Sequence, residues 1–280
     1  MLELHCHTTF SDGTLTPTQL VQSALLAGVK ALAITDHDTV AGWNEAIAAA
    51  APHALEIVPG LELSTVHLGR SLHILGFYPD RDRLQAPLQE RLAGRQRRAK
   101  KMVEKLAALG YPIELPSMSG EMAPGRPHIA AALIKAGYVK TAQEAFERWL
   151  GDQGSAYVPY EKFSAADGIQ LLRRCGAVPV WAHPYLFRGS SVASVLPELL
   201  GAGLRGIEVY HPSHRPQQIE ELLSLCRQHG LLITGGSDYH GPAPDLTGKH
   251  MGLNQLQVPL ALLPPLQEQA LQLRGFQPMM

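Results

Sequence analysis

Short apolar runs alternate with helix-patterned segments along this chain of 280 residues, a pattern that predicts βαβ units around a mainly parallel sheet. Residues 2–7 alternate in strand fashion, and Thr16-Pro17 then supplies an N-cap and a first helical position. The helix that follows turns Leu20, Val21, Ala24 and Leu25 inward and stops at Gly28. Residues 31–35 (ALAIT) read as a buried strand, followed by a helix through Trp43 and Ile47 that ends before Pro52. Residues 55–58 predict a third strand, and residues 61–66 and 71–77 predict two more joined by a turn at Gly69.

The rhythm breaks after Tyr78-Pro79. Residues 80–162 are helical in pattern, with a basic segment (RLAGRQRRAKKMVEKL), a Pro-rich connection, and helices over residues 127–136 and 142–150. Alternation then resumes, with strands at 178–182, 207–210 and 231–234 and helices at 164–175, 192–200 and 216–229. The fold expected is α/β and barrel-like, built discontinuously from residues 1–79 and 163–280 and interrupted by a helical insertion over 80–162.

Polar residues gather at one end of these elements. Side chains two apart on a strand share a face, so His5 and His7 project together, with Asp12 in the next loop. Thr35-Asp36-His37-Asp38 ends the second strand, and Glu62 and His73 sit on the strand pair before the insertion. Ala182-His183-Pro184, Glu208-Val209-Tyr210-His211 and Gly236-Ser237-Asp238-Tyr239-His240 close three later strands. Each cluster falls at the C-terminal end of its strand, the rim on which parallel barrels build active sites.

Composition narrows the chemistry. The chain has 13 histidines but only 3 cysteines, Cys6, Cys175 and Cys226, with no CxxC spacing. That rules out a disulfide framework, argues against a structural thiolate zinc site and points to a reducing compartment. No uncharged run approaches the ~18 apolar residues of a membrane span, and a strand-like segment from Leu2 leaves no room for a leader, so a cytoplasmic location is expected. The net charge of −1 argues against a polyelectrolyte partner covering the whole surface. Imidazole and carboxylate suit divalent manganese, iron or zinc. His5, His7, Asp12, His37, Glu62, His73, His183, Asp238 and His240 are too many ligands for one ion and suit two or three, with carboxylates bridging. Such a centre is positively charged, attracts phosphate, and holds hydroxide as a nucleophile at neutral pH. Phosphoester hydrolysis is expected rather than redox chemistry or structural metal binding.

The strings His5-x-His7 with Asp12, Thr35-Asp36-His37, Gly60-x-Glu62, His73, Ala182-His183-Pro184 and Gly236-Ser237-Asp238-x-His240 together resemble the PHP (polymerase and histidinol phosphatase) family of phosphoesterases. The resemblance spans both halves of the chain in the family's order. It implies a distorted seven-stranded (β/α) barrel with a trinuclear metal centre, most simply of manganese. Carried over by position, one ion takes His5, His7, Glu62 and Asp238, a second shares Glu62 and adds His73 and His183, and a third takes Asp12, His37 and His240. Gly125-Arg126-Pro127-His128, Gly137-Tyr138-Val139 and Ala156-Tyr157-Val158-Pro159 resemble members that dephosphorylate nucleoside 3′,5′-bisphosphates, some of whose relatives trim short RNA as 5′-to-3′ exoribonucleases. That implies a small phosphorylated nucleotide as substrate, Arg126 and His211 on its phosphate, and the insertion as a lid. Independently, a guanidinium fork matches phosphate geometry. Short RNA, histidinol phosphate, or a non-catalytic metal-binding module are the alternatives; no protein partner is inferable.

Other residues carry weaker signals. Asp36 and Asp38 are expected to orient an imidazole rather than ligate. His128 either faces the site or caps its helix, and Arg188 follows the His183-Pro184 loop without a spacing that demands a role. His53, His67, His214, His229 and His250 are assigned to surface or structure, and Cys6 to packed core. Arg91, Arg95 and Arg98 share one helical face, read as solvated in preference to an RNA-tracking surface because no aromatics are interleaved.

Overall fold

The computed structural model describes residues 1–115, 123–159, 163–242 and 252–275. Seven strands form one sheet whose spatial order follows the chain: β1 (Leu2–Glu3), β2 (Ala31–Ile34), β3 (Glu56–His67), β4 (Arg70–Phe77), β5 (Val178–Trp181), β6 (Gly206–Tyr210) and β7 (Leu232–Gly235). β4 runs antiparallel to both β3 and β5, and the other pairs are parallel. Leu4 N–H donates to Gly235 O at 3.2 Å and His7 N–H to Tyr239 O at 2.9 Å, which joins the first strand to the last and nearly closes the sheet into a barrel.

The helices are α1 (Pro17–Leu26), α2 (Trp43–Ala50), α3 (Arg81–Ala108), α4 (Arg126–Lys135), α5 (Ala142–Ala145), α6 (Ala165–Arg174), α7 (Val192–Ala202), α8 (Pro216–His229) and α9 (Leu263–Gly275), and all but α4 and α5, which pack with one another and with α3, lie around the sheet. Thr16 with Gln19 and Ser164 with Asp167 form capping boxes at the starts of α1 and α6, satisfying backbone donors reciprocally. One apolar layer lies between strands and helices and includes Leu20, Trp43, Ile169, Leu172, Leu196 and Leu222. A second fills the barrel with Leu4, Ala33, Val58, Leu75, Phe77 and Val180, and α9 contributes Leu263, Leu266 and Ala270 to it. α9, which the periodicity reading does not anticipate, thus plugs the end of the barrel away from the polar strand ends. A fully buried leucine such as Leu266 contributes about 2 kcal/mol there.

Two strand expectations change. The breaker-like Pro59-Gly60 does not separate two strands, because β3 runs through it without interruption. Gly60 is required for packing: an added Cβ would lie 2.9 Å from Thr35 Cγ2 and 3.3 Å from Phe77 Cδ1. Strict alternation over residues 2–7 also fails. Leu2 and Leu4 pack in the inner cluster but Cys6 in the outer one, so the alternation slips between Leu4 and His5.

The described residues between 81 and 150 carry α3, α4 and α5 joined by non-helical turns, and α5 runs on into a π-helical turn over Phe146–Leu150. Met102, Leu106, Ile129, Leu133, Trp149 and Leu150 form a separate small core. α3 joins this core to the barrel, and its arginine face is not solvated: Arg95 and Arg98 are 5% and 6% exposed. Arg95 Nη1 donates to Asp38 Oδ2 and to Ser64 Oγ, both at 2.9 Å, while Arg91 Nη2 donates to Ser64 O at 2.7 Å. Arg98 Nε donates to Val158 O at 2.7 Å. Burying these guanidiniums is tolerated because carboxylate and carbonyl oxygens meet them. Removing one partner of such a pair strands the other charge, so Asp38→Asn is expected to lower the unfolding free energy by about 3 kcal/mol. Arg83→Ala, which removes the half-exposed partner of Asp80, should cost under about 1 kcal/mol. Urea denaturation of both variants checks the contrast.

Candidate metal centre

The barrel rim is assembled from the ends of parallel strands and the extended β3–β4 hairpin. β3 pairs with β2 only over Glu56–Pro59, so Glu62 stands just beyond the parallel ladder, where a bridge brings it beside His37. His73 lies on the antiparallel return. Three rim residues hold left-handed backbone that side chains ordinarily avoid, Asp38 (φ 53°), His183 (φ 32°) and Asp238 (φ 51°). Residues held so are usually constrained for what their side chains do.

Glu62 is the hub. Its Oε1 lies 2.7 Å from His73 Nδ1 and 3.0 Å from His183 Nε2. Its Oε2 lies 3.3 Å from His5 Nε2, 3.2 Å from His7 Nε2 and 3.1 Å from His37 Nδ1. Asp238 Oδ1 approaches His5 Nε2 at 3.4 Å and His7 Nε2 at 3.1 Å. Asp12 lies 3.3 Å from His240 Nε2 and 3.8 Å from His37 Nε2. All nine sequence-expected ligand positions therefore converge. Donor atoms within 4.8 Å of one another form the groups His5, His7, Glu62, Asp238; His7, Asp12, His37, His240; and His37, Glu62, His73. These sets follow the expected partition except that His7 and His37 each serve two groups and His183 meets Glu62 outside them.

The electrostatics carry the same pattern. Burial opposes ionisation of Glu62, yet His37, His73 and His5 hold its carboxyl well below the usual range. Burial likewise opposes ionisation of Asp12 and Asp238, and adjacent imidazoles again hold them low. Burial lowers His7, but Asp238, Glu62 and Asp12 outweigh it and raise the imidazole to about 10. His37, where burial dominates, is lowered to about 3. Buried polar atoms are ordinarily hydrogen-bonded. His5 Nε2, His7 Nε2, Asp12 Oδ1, His37 Nδ1, Glu62 Oε2 and Asp238 Oδ1 are buried without a hydrogen-bond partner and point at one another. Nitrogen and oxygen donors arranged so fit divalent cations.

The cluster forms the floor of a cavity of about 250 Å³, walled by Arg70, Arg126, Arg188, Asp152 and Phe187. Arg126 begins α4, one position earlier than the X-Pro rule suggests. Its Nη1 lies 3.0 Å from Asp152 Oδ1, and Asp152 Oδ2 lies 3.7 Å from Arg70 Nη1. His211 adjoins the cluster, with Nε2 3.5 Å from Asp238 Oδ2. His128 acts as a cap, Nδ1 accepting from Gly125 N–H at 3.0 Å.

Asp36 and Asp38 touch no imidazole. Asp36 accepts from Thr8 and from Ser11, whose hydroxyl is 3.3 Å from His7 Nδ1, so it acts on His7 only through Ser11. Asp38 holds Arg95 instead. Cys6 is packed core, and His67 and His214 are buried, His214 Nδ1–H donating to Val209 O at 2.9 Å. His53 and His229 are exposed, and His250 lies outside the described residues. Glu208 stands in a strand-end string of the sequence but is given no role there, and Asp152 and Arg70 are not singled out at all. A lone acid inside the apolar run GIEVY was the available signal for Glu208; Asp152 and Arg70 offered none, because only the fold brings their segments to the cavity.

A near-closed barrel carrying a buried histidine–carboxylate cluster defines a metal-dependent phosphoesterase, and the chain belongs to the PHP family. Residues 3–76 match the model of the PHP domain. Over 267 residues the chain is 34% identical to a 5′-3′ exoribonuclease of Haemophilus influenzae, covering 92% of this chain and 97% of that one. It is 32% identical to a 3′,5′-nucleoside bisphosphate phosphatase of Chromobacterium violaceum, covering 86% and 87% of the two chains. Among solved structures, one described as a metal-dependent phosphoesterase from Bifidobacterium adolescentis superposes with a TM-score of 0.84 at 34% identity, covering 96% of both chains.

Because its carboxylate neighbours raise His7 to about 10 against the effect of burial, an ion that takes its Nε2 at pH 7 must displace a proton. Apparent affinity should therefore rise with pH toward 10 and fall in acid, by up to about tenfold per unit per proton released. Calorimetric titration with manganese in two buffers of different ionisation enthalpy should show at least one proton released.

Proposed function

We propose that this protein is a phosphomonoesterase that removes a phosphate from a small nucleotide, with the 3′-phosphate of nucleoside 3′,5′-bisphosphates as the preferred target. The observation that carries this reading is the placement of Arg70, Arg126 and Arg188 around a cavity floored by Glu62 and its imidazoles. The bisphosphate phosphatase of C. violaceum, similar over most of its length, supports the substrate class.

In this reading His5, His7, Glu62 and Asp238 hold one divalent ion, Glu62, His73 and His183 a second, and Asp12, His37 and His240 a third, with manganese the expected metal and iron or zinc alternatives. Such ions, when bound, supply Lewis acidity toward the phosphate and activate water at neutral pH. The chain's own residues do the rest. The Arg126 guanidinium offers two parallel N–H donors to phosphate oxygens and is held at the cavity edge by Asp152 and the Phe146 ring. His211 Nδ1 lies 2.7 Å from Ser213 Oγ and 3.2 Å from Ser213 N; in this reading Nδ1 accepts from Ser213, which puts the proton on Nε2, the atom facing Asp238. That proton is positioned for the leaving alkoxide. The helical segment 80–162 is read as an insertion that lids the barrel formed by 1–79 and 163–280, since it contributes Arg126 and Asp152 to the cavity wall.

Trimming of short RNA from its 5′ end is the second reading, favoured by the likeness to the H. influenzae exoribonuclease. The inward arginines of α3 cannot track RNA, so the adjacent Lys100 and Lys101, among its exposed cations, are the ones to test.

A phosphate-release assay with manganese over bisphosphates, mononucleotides, short RNA and histidinol phosphate decides among these. The bisphosphate should show the highest kcat/KM; faster turnover of short RNA, lost in Lys100→Glu/Lys101→Glu while mononucleotide turnover is spared, would transfer the assignment to the exonuclease. Arg126→Ala should raise KM about tenfold to a hundredfold, equivalent to about 1.4–2.7 kcal/mol, and Arg126→Lys should not restore it. His211→Ala should slow an alkyl phosphate more than an aryl phosphate, whose leaving group needs no proton; equal turnover of the alkyl substrate removes the acid role.

A further inference from the structure

Glu208 lies outside the proposed ligand set yet holds two of its members. It is fully buried on β6, in register with Thr234 of β7. Its Oε1 accepts from His5 Nδ1 at 2.9 Å, and its Oε2 accepts the backbone N–H of His183 at 2.8 Å. One carboxylate thereby ties together the segments that follow β1 and β5, from a third strand.

Both contacts bear on what the partners can do. A neutral imidazole carries one proton, and a carboxylate at Nδ1 keeps it there, leaving the Nε2 lone pair free. His5 Nε2 is the atom that faces Glu62 Oε2 and Asp238 Oδ1, and it is buried without a hydrogen-bond partner. His183 has φ 32° and ψ 62°, a conformation that histidine holds only when its surroundings impose it. Its N–H is fastened by Glu208 while its Nε2 reaches Glu62 Oε1. We propose that Glu208 is a positioning residue of the metal centre, setting the His5 tautomer for ligation and clamping the left-handed turn that aims His183. The inference rests on the ligand sets proposed above, in which His5 and His183 serve different ions, so a single side chain orients ligands of both.

The substitution Glu208→Gln separates this role from simple packing. The amide oxygen can still accept the His183 N–H, but the amide nitrogen then faces His5 Nδ1 and favours the tautomer with its proton on Nε2, which cannot bind an ion. Calorimetric titration with manganese is expected to show affinity for the His5 ion reduced about 10- to 100-fold, with the melting temperature of the chelated protein little changed. His5→Ala should lose the same ion outright, and at that ion the double variant should lose no more than His5→Ala does. In the wild type loaded with zinc, long-range proton–nitrogen spectra should place the His5 proton on Nδ1, a readout that needs no variant to fold. Wild-type manganese affinity in Glu208→Gln, or a His5 proton on Nε2, would overturn the role of Glu208 alone. A wild type that binds one ion or none would instead overturn the ligand sets on which it rests.

Discussion

Burying charge at the end of a barrel is the constraint around which this molecule is organised. Glu62 is 1% exposed and would resist ionisation if it stood alone. It is tolerated because five imidazole nitrogens lie within 3.3 Å of its two oxygens. Those imidazoles arrive from four separate chain segments, so the carboxylate and the strand ends depend on one another. The arrangement leaves ring nitrogens and carboxylate oxygens buried without hydrogen bonds, a cost that a site for cations explains and a packed core does not.

The rest of the architecture supports that cluster from both ends. The far half of the barrel is filled with Leu4, Ala33, Val58, Leu75, Phe77 and Val180 and sealed by α9, so the polar groups have a rigid apolar base. The β3–β4 hairpin breaks the parallel pattern, and that break lifts Glu62 and His73 into the centre of the rim. On the outer side, Arg91 and Arg95 of α3 bind Asp38, which follows His37 in the chain, and Ser64, which Leu63 separates from Glu62. The helical segment that carries Arg126 is thus tied to the same rim that carries the cluster.

Much of this was legible from the residues because the signals are local. Helix starts at Thr16-Pro17 and Ser164, the span Pro216–His229, and polar strings at strand ends all depend on neighbours a few positions away. The nine cluster residues were legible because a rim site draws on strand ends and the strands could be recognised. Reading failed where long-range contact overrides local preference. Pro59-Gly60 looks like a break, but packing against Thr35 and Phe77 keeps the strand continuous. Arg91, Arg95 and Arg98 look solvated by charge, but Asp38, Ser64 and Val158, from three other segments, meet them in the interior. Asp36 and Asp38 flank His37 in the chain, yet backbone geometry sends both carboxylates away from imidazoles.

By itself, the sequence determined the alternating α/β class, the helical interruption and the set of histidines and carboxylates at the strand ends, because periodicity and spacing along the chain encode them. Only the tertiary structure decided that Glu62 is the hub, that His7 and His37 each face two groups, that Asp152 joins Arg126 to Arg70, and that Glu208 lies beneath His5 and His183. Those facts concern distances between residues as far apart in the chain as His7 and His240, and a chain's local pattern carries no distance until the barrel closes.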